Sequence, residues 1–231
     1  MPSSVEDLIA HLRSADETTR RFAAEDLGDC GDPAAVEPLV GTLLDPSPAI
    51  REAALDALSR IGGEPVVRAV LPALRSDHVP LRNAVCFLLG QLGETAVGHL
   101  TELLSDADRD VRLFAIDTLA GIRSRSAEAG IIRAMQDTDV NVAAAAAAAL
   151  GEIGAGSAVP SLIESLRSDS WVRCAAAKSL GQIGGLDALR TLTGLTHDED
   201  ALVAYAATKA LAAAGHGQNS THGTLAEGSW S

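Results

Sequence analysis

Apolar residues along the chain come in short clusters spaced three and four apart, and the clusters return at a fixed interval. After Arg51 they fall at Ala54, Leu55, Leu58 and Ile61. After Arg173 they fall at Ala176, Ala177, Leu180 and Ile183. Positions 3, 4, 7 and 10 after such an anchor share one face of an α-helix. A second apolar segment precedes each anchor, as in AVEPLVGTLLD, AVGHLTELLSD and AVPSLIESLRSD. Between the two lies a turn rich in Asp, Ser and Pro, such as DPSPAIR or DADRDVR. Asp and Ser there can accept the free amides that open the next helix. Gly62, Gly93, Gly154 and Gly184 close the second segments, where a left-handed terminus favours glycine. Each unit therefore reads as a helical hairpin. The anchors Arg20, Arg51, Arg82, Arg112, Ala143, Arg173 and Ala204 recur every 30–31 residues, which predicts an all-α solenoid of about seven hairpins over residues 1–215. Pro72 should kink its first helix. Residues 216–231 carry no repeat and are expected to form a flexible tail.

The period and the phrase VRxxAAxALGxIG, carried here by RCAAAKSLGQIG and AAAAAAALGEIG, resemble HEAT-like repeats of the phycobilisome-lyase type. The resemblance implies a right-handed α-solenoid with first helices on the convex side and second helices lining the concave side. It also implies that the anchor Arg and a turn Asp tie neighbouring hairpins together. Arg123, where other repeats carry the closing Gly, and Ala143, in place of the anchor Arg, depart from the pattern.

On that arrangement, positions 1, 2, 5 and 9 after each anchor floor a concave groove about 50–60 Å long. The expected protein-binding residues are Glu52, Asp56, Phe87, Leu113, Phe114, Asp117, Ala144, Ala145, Ala148, Cys174, Lys178, Tyr205 and Lys209. Phe87, Leu113 and Phe114, followed by the bare alanines of repeat 5, make its expected centre, because contiguous exposed apolar surface marks binding sites. Floor charges sum to −3 over repeats 1–4 and +1 over repeats 5–7, a gradient that would orient a ligand. Trp171, in the turn SDSWVR, is expected to pack over the turn below.

A net charge of −13 repels phosphate backbones, so nucleic acid is not an expected partner, whereas a basic protein is. No apolar run approaches 20 residues and no signal peptide is evident, so a cytoplasmic protein without membrane spans is expected. Aromatics are only 3% of the chain, so the core should be built of Ala, Leu, Val and Ile. Cys30, Cys86 and Cys174 form no CxxC pair; Cys30 and Cys86 occupy core positions 10 and 4, and Cys174 faces the groove. No Walker or GxSxG motif occurs. An iron-dependent HEAT-repeat oxidoreductase would carry His-Glu pairs, and none of the six histidines precedes Glu. Neither a metal nor another cofactor is expected. The function expected is a non-catalytic scaffold, adaptor or assembly chaperone that grips a protein or peptide. The enzymatic alternative implied by the resemblance is a bilin lyase-type subunit holding a linear tetrapyrrole.

Overall fold

The computed structural model describes residues 4–221, with side chains through Ala214, and all regular structure among them is helical. Residues 222–231 of the expected tail lie outside the described residues. The chain forms two compact units, residues 1–100 and 101–231. The first holds α1 (Val5–His11), α2 (Glu17–Cys30), α3 (Val36–Thr42), α4 (Pro48–Ile61), α5 (Gly63–Val70) and α6 (Val79–Leu92). Next in sequence comes α7 (Glu94–Leu103). The second unit holds α8 (Arg109–Ile122), α9 (Glu128–Ala134), α10 (Val140–Ile153), α11 (Val159–Ser165), α12 (Ser170–Ile183), α13 (Leu186–Leu195) and α14 (Ala201–Thr221). The alternation of a first and a longer second helix is the hairpin repeat read from the sequence. Helix α14 runs on past residue 215 to Thr221.

Local chemistry sets the ends of these helices. Asp16 caps α2 through the Thr19 amide, Asp108 caps α8 through Asp110, and Asp169 caps α12 through Trp171. Gly62, Gly93, Gly154 and Gly184 take φ of 57–73° at the closing position, but only Gly154 has the expected left-handed helical ψ, 36°; the other three turn out at ψ of −128° to −166°, an extended backbone at positive φ that glycine also permits. Arg123 adopts the same left-handed φ, 58°, without being glycine. At Pro72, which lacks an amide donor, α5 gives way to a 3-10 turn over Leu71–Arg75.

Two kinds of joint hold consecutive hairpins. The first is ionic. Arg20 Nε lies 2.8 Å from Asp45 Oδ2, Arg112 Nη2 donates to Asp137 Oδ1 at 2.9 Å, and Arg173 pairs with Asp198. Each of these Asp residues also accepts an amide of its own turn, from Ser47, Asp139 and Asp200 respectively. The anchors reach backward too: Arg112 Nη1 donates to the Asp106 carbonyl at 2.8 Å, and Arg51 Nη1 to the Asp45 carbonyl at 2.7 Å. They thereby cover carbonyls that close the first helices, where cations are favoured. The tie implied by the resemblance is present. Ala143 cannot make it, and the residue 25 positions on, where Arg20, Arg112 and Arg173 find their Asp, is Ser168, as it is Ser76 after Arg51.

The second joint is steric. Second helices pack side by side, α2 on α4 in the first unit and α8, α10, α12 and α14 in succession in the second. Position 8 of one meets position 6 of the next. A Cβ on Gly28 would sit 2.7 Å from Ala57 Cα, one on Gly151 would sit 2.7 Å from Ser179 Cα, and one on Gly181 would sit 3.0 Å from Ala210 Cα. The backbones touch, and Ser179 Oγ donates across the α10–α12 joint to the Ala147 carbonyl at 2.8 Å. The alanine run serves this contact: Ala143, Ala146, Ala147 and Ala149 are buried, whereas Ala144, Ala145 and Ala148 are half-buried.

The burial pattern corrects the face assignment in places. Cys30, expected in the core, is exposed, and Cys86 is half-buried. Ile61 and Ile183, also at position 10, are half-buried, because the last turn of a second helix projects beyond its neighbours. Ala53, assigned to the groove, is buried. Positions 6 and 8 lie about 100° to either side of the core face and are shielded by flanking second helices, so the buried arc is wider than a single apolar stripe.

Gly151→Val is expected to destabilise the protein by about 2 kcal/mol in urea unfolding, since the new side chain has no space. Gly121→Ala, where a Cβ meets nothing within 4 Å, is expected to stabilise it by about 0.5–1 kcal/mol. Arg112→Ala leaves the nearly buried Asp137 unpaired and should cost about 3 kcal/mol. Desolvation raises Asp45, but the Arg20 hydrogen bond, the Ser47 amide and Arg51 together outweigh it and hold the carboxyl below its ordinary value. Its contribution is present at neutral pH and is lost as pH falls through the ordinary carboxylate range and below. Thermal midpoints of the parent chain should drop there, with a smaller drop in Asp45→Asn.

Candidate functional site

In the second unit, the close approach of α10, α12 and α14 turns their outward positions into one continuous floor. Ala144 and Ala148 come from α10, Ala175 and Gly181 from α12, and Ala206 and Ala210 from α14. Side chains this short leave a cleft of about 1030 Å³ above them. Larger residues stand around it. Trp171 (69% exposed) and Tyr205 (63% exposed) rise from the first turns of α12 and α14, and Leu189 of α13 closes another side. Ser170 Oγ donates to Asp200, which fixes those two first turns side by side. The lining is mainly apolar, and among the described residues its only charged side chains are Lys178 and Lys209. The Lys209 ammonium lies 5.6 Å from the Tyr205 ring centroid, a cation–π contact. Lys178 pairs with no carboxylate among the described residues.

A smaller cavity of about 290 Å³ adjoins the cleft and shares Ala148 with it. Asp117 of α8 and Glu152 of α10 line it together with Ala145 and Ala149. Asp117 keeps solvent-accessible surface, yet it sits in a concavity. Desolvation there, and the nearby Glu152 charge, push its carboxyl above the ordinary value. Neither carboxylate has a cationic partner among the described residues.

Six of the expected binding residues, Ala144, Ala148, Cys174, Lys178, Tyr205 and Lys209, line the large cleft. Asp117 and Ala145 line the small one, which Ala148 joins to the first. Leu113 and Phe114 are half-buried on α8 and border neither cavity. Phe87 is exposed on α6, and Glu52 and Asp56 are exposed on α4, in the first unit. The concavity of the second unit is thus centred on α12 and not on Phe87, Leu113 and Phe114. Trp171, expected to pack over a turn, instead stands free beside the cleft. Its signal was in the repeat itself: the equivalent residues are Thr18, Ala49, Pro80, Asp110, Asn141 and Leu202, so no shared core position calls for a large aromatic.

The corresponding face of the first unit is occupied by its own charges. Arg21 pairs with Glu25 at 3.5 Å, Arg60 pairs with Asp29 across the α2–α4 joint, and Arg21 lies 4.8 Å from the Phe22 ring centroid. Desolvation, and then the Asp200 charge, push the Cys174 thiol above its ordinary value. No cluster of three or more His, Cys, Asp and Glu suited to a metal ion occurs among the described residues. Among them, too, no helix is long and apolar enough to cross a membrane.

The HEAT-repeat model matches residues 5–90, 97–171 and 133–212. No curated protein matches the chain. Among solved structures, the chain is similar to human deoxyhypusine hydroxylase in complex with glycerol, at 21% identity and a TM-score of 0.48, covering 94% of this chain and 86% of that one. It is similar to the CpcE–CpcF complex of phycocyanin lyase from Nostoc sp. PCC7120, at 22% identity and a TM-score of 0.39, covering 93% and 96%. It is also similar to a designed armadillo repeat protein in complex with the peptide (KR)4, at 19% identity and a TM-score of 0.42, covering 91% and 99%.

The Asp117–Glu152 pair gives a pH-dependent expectation. A raised carboxyl favours the protonated native state, so this group's contribution to stability is complete in acid and is lost as pH rises through the raised value. Asp117→Asn should therefore raise the melting temperature at neutral pH, and the gain should vanish below the ordinary carboxylate range. Calorimetry across pH measures both.

Proposed function

We propose that the chain, which belongs to the HEAT-repeat family, is a non-catalytic protein-binding module, a scaffold, adaptor or assembly chaperone, that holds a segment of its partner in the cleft over α10, α12 and α14. The observation that carries this reading is the cleft itself: about 1030 Å³, floored by alanine and glycine and edged by exposed Trp171 and Tyr205. Exposed aromatics beside a flat apolar floor are the surface that anchors a partner. Two steps between packed helices make that floor about 16–20 Å wide, and a helix of 14 residues makes it about 21 Å long. One partner helix, 10–12 Å across, or an extended strand of chain fits such a surface.

A photo-crosslinking amino acid at Gln182, exposed in the cleft, tests this in native lysate against the same group at Glu164, exposed on α11. Adducts are expected at Gln182 only, and Ala148→Trp, which fills the floor, should abolish them while the helical spectrum stays unchanged. Adducts that ignore Ala148→Trp, or that form equally at Glu164, would remove the cleft from the proposal. Titration with a linear tetrapyrrole should produce no bound absorption band; a red-shifted band would reassign the cleft to bilin carriage.

A further inference from the structure

The two cavities of the second unit carry opposite charge and share one residue. Asp117 and Glu152 stand at the α8–α10 side, Lys178 and Lys209 at the α12–α14 side, and Ala148 lies on the border. Asp117, Glu152 and Lys178 are unpaired among the described residues, and Lys209 meets only the Tyr205 ring. Arg20, Arg60, Arg109, Arg112 and Arg173, by contrast, all have carboxylate partners. Unpaired charges of opposite sign at the two ends of an apolar floor are what a ligand with its own opposed charges would complement. The crowding of Asp117 by Glu152 is the repulsion an incoming cation would relieve.

From this placement we infer that the cleft reads the direction of its occupant. The occupant is a peptide segment of a partner protein with a basic residue over Asp117 and Glu152, an apolar middle over the alanine floor beside Trp171 and Tyr205, and an acidic residue over Lys178 and Lys209. This rests on the protein-binding reading above and adds its polarity. Three steps of about 8–10 Å from α8 to α14 set the span at about 24–30 Å. That corresponds to about 7–9 extended residues or 16–20 helical ones. The chain's net charge of −13 would draw a uniformly basic peptide to many places, but only an acidic group is complementary to the lysine end.

The test uses the full chain, immobilised, and a displayed library of random 20-residue peptides. Selected peptides should carry Lys or Arg toward one end, Asp or Glu toward the other, and apolar residues between. They should compete with one another and lose binding to the Ala148→Trp variant. A charge-swapped variant (Asp117→Lys, Glu152→Lys, Lys178→Glu, Lys209→Glu) with the parent helical spectrum should bind the selected peptides with their charged ends exchanged. Against the parent order its binding should be about tenfold weaker per end at low salt, a difference that shrinks as salt is added. Peptides that bind the Ala148-lined floor without charge order, or that are uniformly basic, or that the swapped variant binds equally well, would overturn the polarity and leave the protein-binding reading standing. Failure to enrich any peptide sensitive to Ala148→Trp would overturn both.

Discussion

Gly28, Gly151 and Gly181 let one second helix rest its backbone against Ala57, Ser179 and Ala210 of the next. At that distance no side chain fits between the two rods. Bulk is therefore driven to the buried face, where Leu27, Leu58, Leu119, Leu150 and Leu180 sit, or left out of the helix altogether. Over α10, α12 and α14 the outward face also carries the short side chains Ala144, Ala148, Ala175 and Ala206 between Lys178, Tyr205 and Lys209, whereas over the equally close α2–α4 joint it carries Arg21, Phe22 and Glu25. Where position 6 is bulky, as at Leu88 of α6, the preceding helix carries Ser59 and not glycine at position 8.

The ionic joint acts at the other end of the hairpin. Arg20 and Arg112 each serve two hairpins, reaching the next one's Asp carboxylate and covering a carbonyl of the turn before their own helix. An acceptor that also takes an amide of its own turn cannot be shifted without losing two interactions. This arrangement fixes the turns, while the glycine contact fixes the rods. The cleft of the second unit exists because both hold α12 and α14 in register, with Arg173 and Asp198 at one end and Gly181 and Ala210 along the side.

Much of this could be read from the chain. The repeat, the helical hairpins, the capping Asp residues and the positive φ of the closing glycines follow from local chemistry that each residue carries with it, and the Arg–Asp tie came with the resemblance. Six of the expected floor residues meet at one cleft for the same reason, since a helix at fixed register must present positions 1 and 5 together. What was not legible depends on distances between elements. The interior glycine of the phrase LGxIG reads as an ordinary helix position until the neighbouring backbone is seen against it. Cys30 shares the core's angular position but sits on a final turn with nothing over it. Phe87, Leu113 and Phe114 drew attention by their size, whereas the concavity formed where size was missing.

Ala143 and Ser168 stand where the repeats of Arg112 and Arg173 keep an Arg and an Asp, so the contact between α10 and α12 lacks that ionic tie. It is made of alanine surface, the close approach of Gly151 to Ser179 and the bond from Ser179 to the Ala147 carbonyl. Small sliding of packed helices is a familiar kind of motion, and rocking at a contact without charge would widen or narrow the space between Ala148 and Lys178.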